Sequence, residues 1–138
     1  MCMKISDVTL DKNYYMNEGC GAFAFILANM IEGDVYILSN KDGEAWSNSI
    51  PYEVTHVVAV KDSVPYDVTG STSKEKISQY FNVPVSDLLI KGPYSPDQFK
   101  RKFLGTNDKY PLYPADSLIQ REVTSYIQDN ENIFLKKA

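Results

Sequence analysis

Three side chains in this sequence have the types and the order that acyl-transfer chemistry needs: Cys20, His56 and Asp67. A thiolate attacks a carbonyl carbon, an imidazole moves the proton, and a carboxylate fixes the imidazole's tautomer and stabilises its charged form. The inventory behind them is short. The 138 residues contain one histidine and two cysteines, the other being Cys2. Any mechanism that needs an imidazole must therefore use His56. A Cys/His structural zinc site is excluded, because it takes four such ligands. The carboxylates show no EF-hand spacing, so no metal is expected, and thiol chemistry calls for no cofactor.

The elements around these residues would put each one to use. Cys20 stands at the start of the apolar run Gly-Cys-Gly-Ala-Phe-Ala-Phe-Ile-Leu-Ala, which predicts a buried helix to about Ile31, ended by Gly33. A thiol at a helix N-terminus faces unpaired backbone N–H groups and the positive end of the helix dipole, which favour the thiolate. Gly19 and Gly21 remove bulk beside the sulfur, and the N–H groups there suit part of an oxyanion hole. His56 lies early in Val54 to Val60, the strongest strand in the chain, and Asp67 lies in the returning strand Val64 to Val68. A two-residue loop at Lys61-Asp62 would set His56 directly opposite Asp67 on one face. A three-residue loop would turn Asp67 away unless a bulge restored it, and a four-residue loop would leave the pair diagonal on one face. Trp46, with Tyr52, falls in the polar loop before this strand and is placed to line a cleft beside His56.

Gly-Cys-Gly-x-x-Ala-x-x-Leu, then His-Val-Val-Ala-Val, then Asp-x-x-Gly resembles the core of the papain-like and transglutaminase-like cysteine enzymes, including small papain-fold proteins of bacteria and phages. The resemblance covers about residues 17–70. It implies Cys20 as nucleophile, His56 as general base and acid, and Asp67 as the residue that orients His56. Papain-like enzymes carry a side-chain donor to the oxyanion hole ahead of the nucleophile, and the resemblance leaves Asn17 and Asn13 as the candidates. The interval from Cys20 to His56 is short for such an enzyme and makes this a minimal version of the core.

The remaining chain supplies the frame. Residues 1–17 read as a short strand and a polar, tyrosine-containing loop, and Val35 to Leu38 as a strand. Thr72 and Glu75 fit a capping box opening a helix to about Phe81. A short apolar stretch, Leu88 to Ile90, lies between Pro84 and Pro93. A helix follows from Pro96 to Leu104, then a stiff loop from Tyr110 to Pro114. The last helix runs from about Ala115 to Gln128, with Ile119, Val123, Tyr126 and Ile127 in one stripe. The pattern is α+β: one domain over residues 1–138, with a papain-like core at about 17–70 and a helical, irregular extension over 71–138.

Composition narrows the partners. Fourteen basic against eighteen acidic residues give a net charge of −4, which argues against a nucleic-acid binder. The basic cluster Lys100-Arg101-Lys102 reads as a solvated helix face. The N-terminal residues lack the pattern of a signal peptide, and the longest apolar run is too short to span a bilayer. A cytoplasmic protein acting on a protein or small amide substrate is expected, its oligomeric state left open. The ordinary readings are a core cysteine, a hydrogen-bonded strand histidine and a turn aspartate. Together they describe a non-catalytic binding or inhibitor protein that keeps the fold.

Overall fold

The computed structural model describes residues 11–41, 43, 53–104 and 115–134. Cys2, Trp46, Tyr52 and the Tyr110 to Pro114 segment lie outside them.

The architecture is α+β. Helix α1 (Lys12–Met16) leads into α2 (Cys20–Ile31), then strands β1 (Asp34–Asn40), β2 (Glu53–Lys61), β3 (Val64–Asp67) and β4 (Gly70–Ser71). Helix α3 (Lys74–Phe81), strand β5 (Leu88–Tyr94) and helices α4 (Pro96–Phe103), α5 (Ser117–Asp129) and α6 (Glu131–Phe134) complete it. The five strands form one antiparallel sheet in the order β4-β3-β2-β1-β5.

Helix α2 is the hub. Its residues from Cys20 to Ala28 are all buried, as expected of a helix apolar on every side. It packs on β2, and α1, α4 and α5 pack on it. Phe23, Leu27, Val57, Ala59, Phe99, Val123 and Ile127 fill the main core. A second cluster of Leu38, Val58, Ile77, Val83 and Leu88 is completed by α3. The chain beyond Gly70 is thus woven into the domain: β5 pairs with β1, and Phe99 and Phe103 of α4 enter the main core.

Several local expectations shift. Residues 12–16 form a helix where a loop was expected. Asp11 caps it by accepting from Tyr14 N–H, and Tyr15 and Met16 are buried by it. The left-handed residue that ends α2 is Glu32 (φ 57°), not Gly33. Gly33 is needed for another reason, since a Cβ there would lie 2.5 Å from the Val60 carbonyl oxygen. Ser73, one residue after Thr72, caps α3, accepting from Lys76 N–H at 3.1 Å. The stretch at Leu88 begins a seven-residue strand. The hairpin turns at Asp62-Ser63, one residue later than Lys61-Asp62. Both residues have positive φ (52° and 67°), as a tight turn matching strand twist requires.

Candidate active site

That one-residue displacement decides how His56 and Asp67 meet. Ala59 pairs with Tyr66 and Lys61 with Val64, so Asp67 falls opposite Val58 and not opposite His56. Side chains two positions apart on a strand share a face, which leaves the pair diagonal. The diagonal is bridged: His56 Nε2 lies 3.0 Å from Asp67 Oδ2. An ionised carboxylate only accepts, so Nε2 is the donor. A bulge on β2 stands beside it. Leu38 pairs with His56 and the next β1 residue, Ser39, pairs with Val54, so Thr55 is the extra residue. Such bulges re-aim neighbouring side chains and are common next to reactive sites.

Asp67 closes the β3–β4 turn. Its Oδ1 accepts from the Thr69 backbone N–H at 2.8 Å and from the Thr69 hydroxyl, the geometry of an Asx turn. Gly70 (φ 108°) lets the chain return, and Val68 in the turn is fully buried, its carbonyl accepting from Tyr126 O–H at 2.9 Å. Burial pushes the Asp67 carboxyl up, but hydrogen bonds from His56 and Thr69 outweigh it and hold the group below its ordinary 3.8.

His56 is completely buried, and the Phe81 ring packs on it at 5.1 Å between centroids. Burial alone would lower its basicity. The hydrogen bond to Asp67, followed by interactions with the Cys20 sulfur, reverses this and raises the pKa to about 9. The imidazole therefore carries its proton at neutral pH. With Nε2 engaged by Asp67, Nδ1 is the nitrogen left over, and no regular hydrogen bond closes on it.

Cys20 is the first residue of α2 and is 4% exposed. Gly19 caps the helix without a side chain, so no capping hydroxyl or carboxylate occupies the turn beside the sulfur. The N–H groups of Gly21 and Ala22 have no acceptor four residues back within the helix. The space above Gly19 is filled by protein: a Cβ there would run into the Tyr14 ring and lie 2.9 Å from Tyr15. Gly19 thus admits the two tyrosines.

The structure joins His56 to Asp67, and the Cys20 sulfur is near enough to act on the imidazole. Asn17 does not join them. It is exposed, and its amide turns back to donate to the Asn13 carbonyl at 2.8 Å. Asn13 is likewise exposed, accepting from Asn17 and from Tyr80 O–H. Gly21 is buried within the first turn of α2. Lys100, Arg101 and Lys102 lie on the exposed side of α4, two of them over the rings of Phe25 and Tyr94. Sequence reasoning passed over Thr69. Its signal is the Asp-x-Thr spacing, which allows a carboxylate to bind backbone N–H and hydroxyl of the same residue.

Among the described residues no group of three or more His, Cys, Asp or Glu side chains is arranged to hold a metal ion. None of their helices is long and apolar enough to cross a membrane. No protein-family model, curated protein or solved structure matches this chain.

Proposed function

We propose that this chain is a cysteine-dependent acyl-transfer enzyme (a peptidase, amidase or glutamine deamidase) built on a papain-like, transglutaminase-like core. One observation carries the reading. A buried imidazole is held at Nε2 by a carboxylate, and its basicity is raised further by the sulfur of a cysteine at a helix N-terminus. These are the three roles of nucleophile, proton carrier and orienter in their working order.

Cys20, as thiolate beside the imidazolium of His56, attacks an amide or thioester carbonyl. The C–S bond forms, and the negative charge gathers on the carbonyl oxygen near the first-turn N–H groups of Gly21 and Ala22, which have no acceptor within the helix. With an amide, His56 gives a proton to the leaving amine as the C–N bond breaks; with a thioester, the substrate's own C–S bond breaks and its thiolate leaves. Water, or an amine, then attacks the thioester, returns a proton to His56 and releases Cys20. Asp67 stays ionised and keeps the ring in place. The substrate is a peptide bond, a glutamine side chain or a small amide, and a free thiol nucleophile suits a reducing compartment such as the cytoplasm.

The burial of Cys20 and His56 favours a second reading. A non-catalytic binding or inhibitor protein would keep the three groups as a closed polar core. Alkylation of Cys20 by iodoacetamide, followed by peptide mass mapping to separate it from Cys2, distinguishes the two. The catalytic reading expects a measurable rate at pH 6–7 that falls at least about tenfold in His56→Ala, because the imidazolium that favours the thiolate is gone. A rate no faster than that of a buried thiol, unchanged by His56→Ala, would overturn it.

A further inference from the structure

We propose that Thr69 is a positioning residue for the Asp67–His56 pair, acting by occupying one carboxylate oxygen so that the other is fixed toward the imidazole. The proposal rests on the acyl-transfer reading for its purpose, though not for its geometry.

A carboxylate on a short side chain can turn about its last bond, and each of its oxygens can accept two hydrogen bonds. Left alone, Asp67 could present either oxygen to His56, in plane or out of it. Thr69 removes that freedom. Its backbone N–H and its hydroxyl both donate to Oδ1, and only Oδ2 faces Nε2. The two donors come from one residue, so they define a direction as well as a contact.

The residue that holds Asp67 is itself held. Val68, between them, is fully buried and tied to α5 through the Tyr126 hydroxyl. On the other side Asp67 pairs with Gly70 across the turn. A Cβ on Gly70 would lie 2.9 Å from Ile133, so the turn is also packed against α6. Thr69 is exposed and contributes no core packing. What it adds is the pair of hydrogen bonds, and the hydroxyl is the part that a side-chain substitution removes.

Thr69→Val keeps the shape and the backbone donor but loses the hydroxyl, and Thr69→Ser keeps both donors. Two measurements on folded protein read the effect without any substrate. The first is the midpoint of Asp67 protonation, followed by carboxyl carbon NMR. Losing one charge-assisted hydrogen bond raises this midpoint by about one pH unit in Thr69→Val, and Thr69→Ser restores it. The second is the downfield proton resonance of His56 Nε2–H, which weakens or broadens in Thr69→Val and is retained in Thr69→Ser. If Thr69→Val is folded and both signals match wild type, the proposal is overturned. If both move while Cys20 alkylation is indifferent to His56→Ala, Thr69 does position the pair and it is the acyl-transfer reading that fails.

Discussion

Replacing Asp67 with asparagine tests the central pair without disturbing its shape. In Asp67→Asn the amide oxygen can still accept from Thr69, which turns the NH2 donor toward Nε2, so the variant has neither the charge nor the acceptor that keeps the buried imidazole protonated. In the wild type burial lowers the basicity of His56, while Asp67 and then Cys20 raise it to about 9 against an ordinary 6.5. The proton-linked stability follows from the sign of that change. A folded pKa above the unfolded one means the contribution is complete below about pH 6.5 and is lost as pH rises through about 9. The gap converts to about 3 kcal/mol at roughly 1.4 kcal/mol per pH unit. Asp67 works in the opposite sense. Its folded pKa lies below 3.8, so its contribution is present above about pH 4 and lost as pH falls further. The pair is therefore most stabilising between about pH 4 and pH 6.5. Urea unfolding at steps from pH 5 to pH 10, taken as the difference between wild type and Asp67→Asn, cancels the lysines and tyrosines that titrate in both. The difference should shrink by up to about 3 kcal/mol between pH 6.5 and pH 9, the share due to Cys20 remaining in the variant. A difference that stays flat over this range would show that Asp67 does not hold the proton on His56, and the ion-pair reasoning would fail.

Two further substitutions probe the scaffold. Gly33→Ala drives a Cβ against the Val60 backbone carbonyl, whereas Gly19→Ala meets the side-chain rings of Tyr14 and Tyr15. Both should destabilise by about 1–3 kcal/mol, with Gly33→Ala the larger, by urea unfolding at pH 6. Phe99→Ala empties a fully buried site in the main core. It should cost about 3–5 kcal/mol, and a loss below about 1 kcal/mol would mean that the chain after Gly70 is peripheral to the domain.

What the sequence made legible was set by how local its causes are. The run from Cys20 to Ala28 is apolar at every position, and an element with no polar face has to be buried, so the hub helix was readable. Val54 to Val60 was equally plain from its β-branched residues. The hairpin turn was misplaced by one residue because Asp62-Ser63 adopts positive φ without a glycine to announce it. That slip moved Asp67 two places along the ladder. Face was preserved because side-chain direction repeats every two residues, so His56 and Asp67 still meet. Strand β5 was hidden because Leu89 and Ile90 are exposed on an edge, where burial leaves little pattern to read. Thr69 was passed over because its role depends on Asp67 facing the core, which only the tertiary fold decides.

The pair at the centre of this fold is costly to keep, and that bears on what it is for. His56 is wholly buried, its Nδ1 lacks a regular hydrogen bond, and the neighbouring Thr55 hydroxyl lacks one too. A buried polar group left unpaired costs about 1–3 kcal/mol. Even where a buried ion pair outweighs its own desolvation, apolar residues of similar volume often serve stability as well or better. Leu38, opposite His56, and Val58, opposite Asp67, already form an apolar cluster with Ile77, so an aliphatic residue at position 56 would extend an existing core. Stability alone therefore gives no reason for an imidazole there. The proton-carrying role proposed for His56 does give one. Nε2 is committed to Asp67, no regular hydrogen bond closes on Nδ1, and Cys20, which acts on the ring, begins helix α2. An unpaired nitrogen is a defect in a structural core and a requirement in a group that must take up and release a proton during each turnover.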